Sequence, residues 1–236
     1  MVTPKKTGIA DRRVVALAVA VVGAVLLAGC SGDGDGPSGP AELSGAQVCP
    51  EGMLAPDAVR GIEKLTGATL FAQPEEGDSA GVRWVAGVLS RGYAKIGASL
   101  GGQACKATPL DEKNRRKVSV SFEIESELQR TGENSESGKG HYWEYDLGRN
   151  ALAVSRQARL YFDCASSRLA GPDKAVPVEA SVNVSEGSKG DEPELREANL
   201  AIVHSAALAM AKELGCKNNG GLPDKLVVKE KAAPTV

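Results

Sequence analysis

Four cysteines, Cys49, Cys105, Cys164 and Cys216, remain in this 236-residue chain once Cys30 is set aside for the reason given below, and they constrain the fold more than any other feature. No two of them have C-x-x-C spacing and the chain holds only 2 histidines, so the ligands of a zinc centre are missing. An even set in a modest domain outside the cytoplasm reads as two disulfides. Three pairings are open to four cysteines. Cys49–Cys105 with Cys164–Cys216 is favoured, because each bond then ties a predicted helix to the element next to it in sequence. Each would close a long loop, worth about 4 kcal/mol by the chain-entropy argument.

The compartment is read from the N-terminus. A basic start (Lys5, Lys6, Arg12, Arg13) precedes an uncharged apolar run from Val14 to Leu27, and small residues follow before Cys30. That order is an export signal, residues 1–29. The run has 14 residues. A helix needs about 20 to cross the hydrocarbon core, so a lasting span is not expected. Export by the general secretory route is expected. Arg12-Arg13 also fits a twin-arginine route, although Asp11 before the pair and Val14-Val15 after it depart from that pattern.

Leu27-Ala28-Gly29-Cys30 resembles the lipobox of bacterial lipoproteins. The resemblance implies cleavage after Gly29, a diacylglyceryl group on the Cys30 sulfur and acylation of the new N-terminus. One acyl chain binds a bilayer only marginally, so two or three are needed for a stable anchor. The expected address is therefore the outer face of the cell membrane, with the membrane itself as partner. Without residues 1–29 the chain carries 24 basic and 29 acidic residues, a net charge of −5. A polyanion-binding surface is not indicated, and no nucleic-acid partner is expected.

Residues 30–47 have the Gly/Ser/Pro composition of a flexible tether. Residues 48–223 form a span long enough for one domain with its own core. Pro56 and Gly67 bracket a short helix bearing Ala58, Val59, Ile62 and Leu65, and Ala68 to Ala72 reads as a strand. A second helix runs from Ala80 to Ile96, with Val82, Val85, Leu89, Tyr93 and Ile96 on one side and Asp78 or Ser79 as cap. Val118 to Ile124, His141 to Leu147, Ala151 to Cys164 and Val176 to Val184 read as strands. No helical pattern separates them, which favours an antiparallel sheet. The last helix begins at an Asp191/Glu194 capping box around Pro193, carries Leu195, Asn199, Ile202, Ala206, Met210 and Leu214 inward, and stops at Gly215. Residues 224–236 are expected to be a mobile tail. The expected class is α+β: an antiparallel sheet of four to five strands, packed by the C-terminal helix and one or two N-terminal helices.

Two G-x-S-x-G matches surround Ser79 and Ser99. A nucleophile elbow needs a strand that delivers the serine to a helix start, and Ser99 instead follows a helical pattern. Gly77-Asp78-Ser79-Ala80-Gly81 resembles the nucleophile segment of chymotrypsin-like proteases, in which the histidine and aspartate come earlier. Here both histidines, His141 and His204, come later. His204 reads as a partly buried helical histidine, and no catalytic residue, cofactor or metal is expected. The chain has nine Phe, Trp and Tyr and places three of them within His141-Tyr142-Trp143-Glu144-Tyr145. His141, Tyr142, Trp143 and Tyr145 are therefore the candidate binding residues, because tyrosine and tryptophan combine apolar area with a polar handle. On a strand, His141, Trp143, Tyr145 and Leu147 would share one face and Tyr142, Glu144 and Asp146 the other.

From Tyr161-Phe162-Asp163-Cys164 to Arg168-Leu169-Ala170-Gly171, and from Leu195-Arg196-Glu197-Ala198-Asn199-Leu200 to Gly220-Gly221-Leu222-Pro223, the chain resembles actinobacterial exported lipoproteins of uncharacterised activity. The resemblance implies an address and no reaction. The expectation is a membrane-anchored, non-catalytic module that binds an envelope component, a solute or a partner protein, with an envelope hydrolase as the alternative.

Overall fold

The computed structural model describes residues 42–97, 101–124, 142–186 and 192–231, all of which belong to one unit of the chain, Ser38–Val236. Along them run β1 (Glu42–Ser44), α1 (Pro56–Thr66), β2 (Leu70–Ala72), α2 (Val82–Ile96), β3 (Gly102–Ala107), β4 (Val118–Ile124), β5 (Trp143–Tyr145), β6 (Asn150–Val154), β7 (Gln157–Ser166), β8 (Gly171–Val184) and α3 (Pro193–Leu214). The signal-peptide residues, Cys30, Ser99, His141, Asp191 and the last five residues lie outside the described set.

An antiparallel sheet in the order β3-β4-β8-β7-β6-β5 forms the body, and β1 pairs with β2 in a small second sheet. The α+β class, the antiparallel sheet and the C-terminal helix follow the sequence reading. The main sheet has six strands rather than four to five, for two reasons.

Ala151 to Cys164 is not one strand but two, because the chain reverses at Ser155-Arg156 and Val154 pairs with Gln157. Neither turn residue has a positive φ, so the Asn-Gly type of signal for a tight hairpin is absent from the sequence. The β3 strand was not expected at all. A bulge at Ala104 breaks its alternation: Gln103 pairs with Ser121 and Cys105 with Val120, so residues two apart face opposite sides.

One face of this sheet carries the core. Val118, Val120, Phe122 and Ile124 of β4, Ala158, Leu160 and Phe162 of β7, and Val178, Ala180 and Val182 of β8 are buried beneath the helices. The long α3 lies over β6, β7 and β8, and α2 lies over β3 and β4. Helix α1 crosses α3 closely at Gly61, where an added Cβ would sit 2.8 Å from the Ala198 carbonyl oxygen. No larger residue fits there without separating the helices.

Both glycine stops hold: Gly67 and Gly215 end α1 and α3 in the left-handed region, at φ 68° and 70°. The expected N-terminal caps do not. Gly81 precedes α2, while Ser79 Oγ accepts the Lys106 N–H and Asp78 pairs with Lys106 Nζ at 2.7 Å. Both side chains thus hold the β3 edge instead of a helix end. At α3 the N-cap position is Glu192, and Glu194 pairs with Lys64 on α1 at 2.7 Å. The β6–β7 turn fastens this end: Ser155 Oγ accepts the Glu192 N–H, and Asn199 Nδ2 donates to the Val154 and Ser155 carbonyls at 3.1 Å. Ile96, placed on the inward stripe of α2 by periodicity, is 66% exposed because the helix ends beyond its sheet contact.

The favoured disulfides are present. Cys49–Cys105 joins the segment before α1 to β3 with Cα atoms 5.2 Å apart, and Cys164–Cys216 joins β7 to the end of α3 at 4.8 Å. Two boundaries move outward. Residues 42–44, assigned to the tether, pair as β1 because Leu43 packs on the core. The described part of the segment expected to be a mobile tail, residues 224–231, returns to the sheet: the Asp146 N–H donates to the Lys229 carbonyl, and the Lys231 N–H donates to the Glu144 carbonyl, both at 2.8 Å. The free edge of β5 supplies backbone partners that local composition does not reveal.

Candidate functional site

The second face of the six-stranded sheet has no helix over it among the described residues, and along β4, β7 and most of β8 its side chains are polar, with Leu152 and Val154 of β6 and Pro177 of β8 as apolar exceptions. Alternation along β7 directs Gln157, Arg159 and Tyr161 to this side, while β8 contributes Glu179, Ser181 and Asn183 and β4 contributes Ser119, Ser121 and Glu123. Register sets them in rows. Arg159, Ser181, Ser121 and Gln103 form one row, and Tyr161, Glu179 and Glu123 the next. Strands lie about 4.8 Å apart, so four strands span about 14 Å. Small serines at the centre and longer side chains around them leave a hollow of about 510 Å³.

Arg159 and Glu179 dominate its electrostatics. Arg159 Nε lies 3.7 Å from Glu179 Oε1, and the Glu179 side chain is only 10% exposed. Burying a carboxylate so far is costly unless a cation stands beside it. Burial works against the Arg159 charge, but Glu179 and Tyr161 outweigh it and hold its pKa above the ordinary value. Burial, then the Glu179 charge, push the Tyr161 phenol up to about 12, so it is a neutral hydrogen-bonding group at physiological pH.

The aromatic segment is divided between the two faces. Tyr142 belongs to the open side, where its hydroxyl donates to Gln157 Oε1 at 2.5 Å. Trp143 and Tyr145 pair with Ala153 and Ala151 and turn toward α3. There the Arg196 guanidinium stands 4.3 Å over the Trp143 ring, and Arg196 Nε donates to the Tyr145 hydroxyl at 3.0 Å. Tyr145 is 3% exposed and is core. Of the candidate binding residues, Tyr142 alone reaches the polar hollow, through its bond to Gln157, and His141 lies outside the described residues.

No serine–histidine pair assembles among the described residues. His204 is buried on α3, where its Nε2–H donates to the Pro223 carbonyl at 2.8 Å, and burial lowers its pKa. Ser79 is committed to the β3 edge and Ser99 lies outside the described set. A larger groove of about 920 Å³ runs between α1, α3 and residues 224–226. Its buried polar side chains are already engaged: Ser205 Oγ accepts the Ala55 N–H and donates to the Met53 carbonyl, and His204 serves Pro223. Among the described residues, no group of three or more His, Cys, Asp or Glu is placed to hold a metal, and no helix is long and apolar enough to cross a membrane.

Sequence reasoning overlooked Arg159, Glu179 and their serine and amide neighbours. The signal was there in the polar partners of the alternating runs 157–163 and 179–183, which read as an ordinary solvated face until register gathers them. Comparison with protein-family models, with curated proteins and with solved structures finds no match.

Proposed function

We propose that the chain is an exported lipoprotein, anchored to the outer face of the cell membrane by lipid on Cys30, whose domain is a non-catalytic module that binds an envelope component on the open face of its sheet. The observation that carries this reading is the hollow centred on Arg159, Ser181 and Ser121. It gathers hydrogen-bonding side chains from four strands on a rigid, twice cross-linked scaffold, with no histidine beside its serines among the described residues. Rigid strands that present convergent polar groups favour recognition, because little side-chain ordering remains to oppose binding. Residues 31–41 provide reach: 11 residues extend to at most about 40 Å, enough to hold the domain clear of lipid headgroups.

Two measurements test the proposal. Mass spectrometry of the mature N-terminus should find acyl groups on Cys30, and an unmodified cysteine removes the anchor. Purified envelope fragments should retain a full-length Cys30→Ser chain, and Ser181→Trp, which fills the hollow, should abolish retention while leaving the unfolding transition in place. Retention unchanged by Ser181→Trp excludes the open face.

A further inference from the structure

Resting on that assignment of the open face, we propose that its ligand is a neutral saccharide, bound across β3, β4, β8 and β7. Charge decides against the other classes. The one cation in the hollow, Arg159, faces the buried carboxylate of Glu179, and Glu123 adds a second negative charge on the neighbouring strand. A phosphate or carboxylate polymer would meet a cation already opposed and a carboxylate unopposed. The surplus of one charge is too small to select a polycation, since Glu179, the better-shielded carboxylate, is directed at Arg159 and not outward.

What remains is a set of neutral groups that both donate and accept: the amides of Gln103, Gln157 and Asn183 and the hydroxyls of Ser121 and Ser181. A sugar hydroxyl also donates and accepts, so each can be matched by such a group without transferring charge. An ionic ligand wastes half of that capacity. Aromatic faces complete the chemistry. Along β7, Arg159 is bracketed by Tyr161 on one side and by Gln157, held by the Tyr142 hydroxyl, on the other. Neither tyrosine lines the hollow itself, but both are half-buried beside its β7 residues, where a sugar unit extending past Gln157 or Arg159 would meet a ring and a phenol.

The experiment is calorimetric titration of the full-length Cys30→Ser chain with a neutral N-acetylglucosamine tetramer and with maltotetraose, beside polyglycerol phosphate and oligolysine as anionic and cationic counterparts. The expected result is binding of a neutral oligosaccharide with weak salt dependence. It should fall at least tenfold in Ser181→Trp and in the milder double variant Gln157→Ala/Asn183→Ala, which keeps the proposal testable should the tryptophan disturb folding. Preference for oligolysine or polyglycerol phosphate overturns the saccharide. So does the absence of sugar binding while envelope retention persists and remains sensitive to Ser181→Trp, which leaves the site standing with a ligand of another class. Loss of both sugar binding and face-dependent retention removes the site itself.

Discussion

Alternate residues of β7 meet opposite surroundings: Ala158, Leu160 and Phe162 are sealed under α3, while Gln157, Arg159 and Tyr161 line the open face one residue away. The helix side holds apolar groups at close packing and one buried cation, Arg196, satisfied by an aromatic ring and a phenol. The open side holds groups whose hydrogen-bonding capacity is only partly used within the protein. The same backbone thus separates stability from recognition, and substitutions on the two sides should have different consequences.

Phe162→Ala should have the largest effect, a loss of about 3–5 kcal/mol in denaturant unfolding, because a fully buried ring leaves a cavity that sheet and helix cannot close. A loss below about 1 kcal/mol would mean that the helix side is loosely packed. Arg196→Ala should cost about 2 kcal/mol, from the lost cation–π contact and the hydrogen bond to Tyr145. It should also speed hydrogen exchange at the Lys231 amide, because Arg196 approaches Glu230 in the returning tail at 3.8 Å.

On the open face, spectrophotometric titration should find a tyrosine ionising near pH 12 that is lost in Tyr161→Phe. A phenol raised from 10 in the unfolded chain to about 12 in the folded one binds more protons folded than unfolded. Its contribution is complete below pH 10 and is lost as pH rises toward 12, an effect kept to about 1 kcal/mol by solvent screening of the half-exposed group. Gln157→Ala should change stability least, by under about 0.5 kcal/mol. A cost as large as that of Arg196→Ala would erase the contrast between the faces.

These differences separate what could be read locally from what could not. Pro56 with Gly67, and Gly215, were legible as helix boundaries because φ preference belongs to the residue itself. The alternation of Val118 to Ile124 and of Val176 to Val184 was legible because a half-buried strand needs period two. Escaping that logic were β3, whose bulge breaks the period, the Ser155-Arg156 reversal, which lacks a glycine, and the tail that completes the β5 edge.

The site was harder still. The segment from Tyr142 to Tyr145 stood out by composition, yet composition is blind to which face each ring takes, and Arg159 and Glu179 are ordinary surface charges until β7 and β8 pair.

By itself, then, the sequence determined the helix boundaries, the alternation of the central strands and an even cysteine set whose favoured pairing the fold contains. Periodicity, φ preference and cysteine count are properties of the chain that need no distant partner. Only the tertiary structure decided that Trp143 and Tyr145 face Arg196 while Tyr142 joins Gln157, and that Arg159 and Glu179 meet beside Ser181. Strand register is set by pairings between residues far apart in the chain, and a shift of one residue would turn each of these side chains to the opposite face.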